Sequence, residues 1–387
     1  MKFSFFYHSL ESDWNHGSAH FLRGVVSDLI ARGHDVQVYE PEDSWSRENL
    51  LSDHGTAALN AFYDVYPNLT ARTYSQESLD MERVAAESDV VIIHEWNEPW
   101  LVNGFGELRN HLQAGGNKDL DFRLLFHDTH HRAVSDPSWL HRFRLDYYDG
   151  VLSFGEALTE LYRKHGWSQN VWTWHEAVDT RVFYPRDPNP NLPSGDVIWV
   201  GNLGDDERNA ELAEFLCKPV HELQLLCHVY GVRYPREVLQ KFALEGIHYC
   251  GWLPNFRVPE IYANHRVTVN VPRRYYAANL PGIPTIRPFE AMACGIPMVS
   301  APWRDSEGLF NPGRDYLVAQ NSEEMQRHLH TLLNDGDLAQ AQADHALATI
   351  RKHHTCTHRV DQLFSILEEL EHAHLPVMTV EEIRLQA

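Results

Sequence analysis

Long apolar runs are missing from this sequence. The longest, such as Val90-Val-Ile-Ile93 and Leu124-Leu-Phe126, fall far short of the roughly 18 consecutive apolar residues of a membrane-spanning helix. A transmembrane segment is therefore not expected. Cysteine is scarce as well. Cys217, Cys227, Cys250, Cys294 and Cys356 are five in number and form no Cys-x-x-Cys pair, which excludes both a disulfide framework and a zinc ribbon. Basic residues are the minority, 33 against 54 acidic, for a formal charge of −21. That field repels the phosphate backbone of nucleic acids and anionic lipid surfaces, so no nucleic-acid partner is expected. The opening MKFSFFYHSLESDW has one lysine and early carboxylates rather than a charged, then apolar, leader; a cytoplasmic location is the expectation. The three spaced glycines of a dinucleotide fingerprint are absent, which disfavours a nicotinamide cofactor. No Asp-x-Asp pair sits at the carboxyl end of a candidate strand.

What is present is length and periodicity. A chain of 387 residues has room for two domains with their own cores. MKFSFFYHS reads as a strand. In His20–Arg32 the residues Phe21, Leu22, Val25, Val26, Leu29 and Ile30 share one helical face that ends at Gly33, and Asp35–Glu40 alternates as a strand. Strand, loop, helix, strand is a βαβ unit, with its loop at the carboxyl edge of a parallel sheet. Further strands are expected at 90–94, 123–127, 150–154 and 171–174, with a helix at 158–165.

Pro185, Pro188, Pro190 and Pro193 then break all periodicity, so 185–196 reads as a linker between an N-terminal unit (1–184) and a second α/β unit (197–350). Strands are expected in the second unit at 197–201, 223–229, 247–250, 267–271, 298–300 and 316–318. Helical segments are expected at 210–216, 235–244, 259–264 and 287–293. A helical segment (351–387), whose residues 361–370 carry an apolar face, is expected to pack back toward the first unit. The fold class is α/β with two Rossmann-like domains facing across a cleft, where ligands lie outside the carboxyl ends of the strands.

Histidine is plentiful at 25. The clusters HDTHH (127–131) and KHHTCTH (352–358) invite a metal reading, with His354 and His358 one helical turn apart. No acidic partner stands at ligand spacing, and a solvated helix face explains that pair as well. No metal site is expected.

The segment PTIRPFEAMACGIPMVSA (284–301) sets Glu290 in an apolar, small-residue run. A carboxylate there either lies on an exposed turn or reaches into a cleft to accept hydrogen bonds from ligand hydroxyls. Together with NHGSAHFLRGVVSDLIARGHDVQVYEP, WHEAVDTRVFYP, GWLPNFRVPEIYANHRVTVNVPR and HTCTHRVDQLFSIL, this segment resembles the GT-B glycosyltransferases, specifically the glycosyl transferase group 1, CgeB-like branch related to family 4. The order and spacing of these stretches cover nearly the whole chain.

The resemblance implies a transferase that moves a sugar from a nucleoside-diphosphate-sugar, with a hexosyl group and UDP as the expectation, to an acceptor not specified by sequence. The chemistry implied is metal-independent, with no separate cofactor. Retention of anomeric configuration is the expectation, with an inverting route as the alternative. On this reading Glu290 accepts hydrogen bonds from the ribose hydroxyls. Gly282 stands where the related pattern has a second glutamate, so only its amide can serve there. Thr285 joins the donor side. Arg287, at a helix N-terminus, is a clamp for the leaving diphosphate or a partner of surface carboxylates. Arg208 follows the first strand of the second unit and is a second phosphate candidate or an ordinary ion pair. Gly17, in the first strand-to-helix loop, lets backbone approach the donor or simply turns the chain. His127 is expected at a strand end facing the cleft, against the reacting sugar or as a general base, with Asp128 beside it. His94, Glu95 and Trp96 are acceptor-side candidates, because an aromatic ring and a carboxylate suit a sugar. Leu253 and Arg233 fall near the nucleobase. A nucleotide-sugar 2-epimerase and an inactive binding protein of the same fold are the alternatives.

Overall fold

The computed structural model describes residues 1–15, 17–114, 121–204 and 207–374 of the chain. Two parallel sheets form its frame. In the first, β1 (Lys2–Phe6), β2 (Asp35–Pro41), β3 (Ala71–Tyr74), β4 (Val90–His94), β5 (Arg123–Asp128), β6 (Gly150–Ser153) and β7 (Val171–Thr173) lie in the order 3-2-1-4-5-6-7. In the second, β8 (Gly195–Val200), β9 (Cys227–Tyr230), β10 (Ile247–Gly251), β11 (His265–Asn270), β12 (Met298–Ser300) and β13 (Leu317–Val318) lie in the order 10-9-8-11-12-13. Every strand pair is parallel.

Both orders reverse direction at the first strand of their half. The loops leaving β1 and β4, and those leaving β8 and β11, therefore diverge and leave a crevice at each sheet's carboxyl edge. Strands such as β4 are buried along their whole length, which is why they read as continuous apolar runs rather than alternating ones. The helix Ala19–Ala31 turns Phe21, Leu22, Val25, Val26 and Leu29 inward and closes at Gly33, whose φ of 84° suits glycine. The helix Ile286–Ala293 closes in the same way before Gly295, φ 68°.

The clearest departures from the sequence expectation are two boundaries and one added strand. β8 begins at Gly195, inside the expected linker. The run expected as a strand from Leu223 starts only at Cys227, because a helix reaches Glu222 and Gln224 turns the chain with φ 52°. β3 is an addition: a short edge strand, mostly exposed, whose residues carry no apolar alternation.

The final helix, Cys356–His374, lies on the Ala19–Ala31 helix of the first half. Arg32 pairs with Asp361 at 2.7 Å, Phe364 packs edge-on to Phe3, and a Cβ at Gly24 would meet the Cys356 sulfur at 2.3 Å. Residues 375–387 of the expected C-terminal segment lie outside the described residues. A single apolar core runs from Phe3 and Phe21 of the first half through Phe289 and Met298 of the second to Cys356 and Leu363. Among the described residues no helix is long and apolar enough to cross a membrane.

Candidate active site

Between the two carboxyl edges lies a cleft of about 900 Å³. Its floor is made where chain ends meet. Gly17, in the loop after β1, approaches so closely that a Cβ there would touch the Ile286 side chain of the other half at 3.4 Å. The helices beginning at Ala19 and Ile286 both open toward this point, through Ser18 and Thr285 in the cleft wall. Neither helix has an acidic residue in its first turn, and neither Ser18 nor Thr285 caps its helix through its side chain. Two helix N-termini with their positive dipole ends thus face one space, an arrangement suited to an anion.

Positive charge is added from the second half. Arg208 follows β8 and lines the cleft half-buried, with its Nε shut off from solvent and without a hydrogen-bond partner. Burial, with Arg273 nearby, lowers its pKa to about 10. Arg287 projects from the first turn of its helix into the same cleft and is held by Glu290. Arg273, after β11, is neutralised by Glu207 at 2.8 Å, and His131 of the first half stands 3.3 Å from the same carboxylate. Burial opposes ionisation of Glu207, but His131 and Arg273 hold its pKa below the usual range.

Glu290 occupies a different place from the one expected. It is wholly buried behind Arg287 and does not line the cleft. Its Oε1 accepts from His20 Nδ1 at 2.7 Å and from Asn255 Nδ2 at 2.6 Å, while its other oxygen takes Arg287. His20 Nε2 accepts the backbone N–H of Asp179 at 3.0 Å, which assigns the imidazole hydrogen to Nδ1 and makes it the donor to Glu290. The carboxylate therefore joins the two halves and fixes Arg287. Burial works against its charge, yet Arg287 and His20 keep its pKa low.

His127 does not open on the cleft. It is fully buried at the end of β5, hydrogen-bonded through Nδ1 to Tyr7 and packed edge-on against Trp174. Burial lowers its pKa to about 3, so it is neutral. Sequence placed it at the right strand end, but β5 is covered there by the Ala19–Ala31 helix through Phe21.

His94, Glu95 and Asp128 are buried alongside it. His94 Nε2 bonds to Thr129 at 2.9 Å, and it is Thr129 that reaches the cleft. Glu95 pairs with Arg132; burial raises its pKa to about 8. Asp128 accepts from Tyr162 and the His130 amide, and burial lifts it to about 6. Trp96 does line the cleft, beside Trp45, with the Arg132 guanidinium 3.9 Å from its ring centroid.

Gly17, Thr285, Arg208, Arg233 and Arg287 also reach the cleft, whereas Leu253 packs on the core. Gly282 is buried outside the cleft with φ 88°, and a Cβ there would meet Ser306 Oγ at 2.5 Å. The absence of the second glutamate thus has a steric cause. His354 and His358 are used within the fold, bonded to Leu309 O at 2.8 Å and Thr355 Oγ1 at 2.7 Å.

Sequence reasoning missed Arg273, Glu207, Thr129, Trp45 and Glu176. Glu176 lines the cleft while only 5% exposed, and burial pushes its pKa up to about 8. Its signal was its position directly after β7, at the carboxyl edge.

Residues 208–365 match the family described as glycosyl transferase-like. No curated protein matches the chain. Solved structures resemble it over nearly its full length. Sucrose-phosphate synthase from Thermosynechococcus elongatus has a TM-score of 0.64 at 14% identity, covering 96% of this chain and 100% of that one. Anabaena Alr3699/HepE, solved with UDP and glucose, has a TM-score of 0.67 at 14% identity over 95% and 99% of the two chains. An alpha-glucosyltransferase, solved with UDP and a 13-mer DNA containing a HMU base, has a TM-score of 0.66 at 13% identity over 95% and 99%. The chain has the GT-B architecture: two Rossmann-like α/β units face one another, and the second carries the glycosyl transferase-like match.

Proposed function

We propose that the protein is a glycosyltransferase that uses a UDP-sugar, with the donor diphosphate in the cleft between Arg208, Arg287 and the N-terminus of the Ile286 helix. One observation carries this reading. In a chain of net charge −21, Arg208 lines the cleft with no carboxylate partner among the described residues and an unsatisfied Nε. A desolvated guanidinium without a counter-ion destabilises the free protein, so an anionic ligand is its natural complement.

The chemistry follows. As the bond between the anomeric carbon and the diphosphate breaks, negative charge grows on the leaving oxygens. Arg208, Arg287 and the two helix ends are already oriented to meet it, so little reorganisation is needed at that moment. Glu290 holds Arg287 in place from behind. The acceptor enters along the first-half wall of Trp45, Trp96 and Thr129, where indole faces suit an apolar sugar face. The UDP complexes of HepE and the alpha-glucosyltransferase support UDP as the nucleotide and a hexose as the sugar. Retention of configuration and placement in the CgeB-like branch are part of the proposal.

The test is release of UDP from UDP-glucose, UDP-galactose and UDP-N-acetylglucosamine, with and without a panel of glycan, lipid-linked, peptide and small-molecule acceptors. Acceptor-dependent release that falls at least tenfold in Arg208→Ala is expected, since one charge-assisted contact is worth about 1.5–3 kcal/mol. Conversion of the donor alone to a new nucleotide-sugar would instead identify an epimerase, and inertness toward every donor would contradict both.

A further inference from the structure

One group in the cleft runs against its surroundings. Of the carboxyls in the cleft wall, Asp136 is exposed and Glu207 is paired with Arg273, whereas Glu176 is buried and forms no ion pair with a cation among the described residues. Its position is firmly set. His175 on one side bonds to Phe154 O at 2.9 Å and to Glu307 at 2.8 Å. On the other side Val178 exchanges backbone hydrogen bonds of 3.1 and 3.0 Å with His354 and Cys356 of the C-terminal segment. The loop cannot readily swing the side chain out to solvent.

The groups near enough to act on its charge are Ser18 at the head of the first helix, Tyr7 just after β1, Tyr276 from the short helix Arg274–Ala278, and Arg287 with Glu290 from the Ile286 helix. Arg287 is already engaged by Glu290, whose own charge opposes a second carboxylate. The Ser18 hydroxyl lies near the carboxyl and favours its ionised form. An ionised Glu176 would repel a diphosphate in this space. A neutral one has an O–H to offer the cleft.

We infer that Glu176 binds in its protonated form as a hydrogen-bond donor to the diphosphate of the sugar donor, completing from the first half the cradle that Arg208 and Arg287 form from the second. This rests on the donor-site reading above. Burial places the carboxyl's titration near pH 8, so the binding-competent fraction falls as pH rises through that value. The phosphate of UDP, with a second pKa of about 6, is already ionised throughout that range.

The experiment is calorimetric titration of the full chain with UDP between pH 7 and pH 9. For the wild type, the Kd should rise about tenfold across that interval, as the competent fraction drops from about nine-tenths to about one-tenth. Glu176→Gln keeps a neutral N–H donor of the same size; its Kd should stay flat with pH and within about threefold of the wild-type value at pH 7. Ser18→Ala removes a hydroxyl that favours the ionised form, and should move the break to higher pH. Glu95 titrates in the same range but remains in both variants, so any contribution from it would survive the substitution of Glu176. A flat wild-type profile, or a slope unchanged in Glu176→Gln, overturns the inference while leaving the donor site standing. Absence of UDP binding by the wild type at every pH removes the donor-site reading and this inference together.

Discussion

At Arg208 a cation is kept partly out of water with no ion pair to a carboxylate among the described residues, an arrangement that lowers stability unless something else is gained. Two opposite effects should therefore follow from one substitution. Arg208→Ala should weaken UDP binding by roughly 10- to 150-fold and should leave the melting temperature of the free protein unchanged or raise it. Calorimetry and a thermal melt on the same preparation check both, and a variant that melts much lower with unaltered UDP affinity would make Arg208 structural. His127 has the converse signature. Buried against Trp174 and Phe21, its truncation to alanine should destabilise the fold by about 2–4 kcal/mol while UDP affinity stays as it was. The contrast shows what a sequence can and cannot disclose at this scale. Arg208, Arg287 and Gly17 were legible because each directly follows a strand or opens a helix, and strand ends make the cleft. His127 and Glu290 satisfied the same rule, yet a neighbouring helix covers them; cover is set by packing between distant segments, which local pattern does not contain. Glu176 went unread because a neutral carboxyl and an ionised one share a letter.

Among the elements, the Ile286 helix does two things at once. Its N-terminus faces the cleft, while Glu290, near its middle, is bound by His20 from the opening helix of the first half and by Asn255 from the second. That cluster ties the halves together directly behind the proposed phosphate site. His20→Ala should leave the buried carboxylate short of one donor. Breaking a buried charged contact in this way costs on the order of 3–5 kcal/mol, and the loss falls on the junction. The expected result is a larger radius of gyration by small-angle scattering and a melt that broadens or splits into two steps. A single transition with unchanged dimensions would show that the apolar core alone holds the halves. The pattern of elements was mostly readable, since buried parallel strands and a glycine after each helix leave strong marks. β3 was not, because an edge strand reading Ala71-Arg-Thr-Tyr74, exposed at its two central residues, has neither an apolar run nor clear alternation to reveal it.

For the whole molecule, burial of ionisable groups sets a narrow pH window. Glu40, Glu95 and Glu176 are raised by burial to about 7, 8 and 8. Each raised carboxyl binds a proton more tightly folded than unfolded, so its contribution is complete below the unfolded value and is lost as pH rises through the folded one. Buried histidines act from the other side. His8, His265 and His354 are lowered by burial to about 4, 4 and 3, so folding grows less favourable as pH falls below the usual histidine value of about 6.5. Stability should peak near neutral or slightly acidic pH, with the melting temperature dropping by several degrees toward pH 8.5 and again toward pH 5. A melting temperature flat from 5 to 9 would contradict these burials. The two-unit architecture was read from the proline-rich break and the doubled strand series, and the cleft between the units is where Arg208, Arg287 and two helix N-termini converge. The most direct measurement is therefore a crystal structure of the chain with UDP. The diphosphate should lie within about 2.7–3.2 Å of the Arg208 and Arg287 guanidinium groups and of the Ile286 backbone amide; a nucleotide bound elsewhere on the molecule, with Arg208 left uncontacted, would contradict the assignment of this cleft as the donor site.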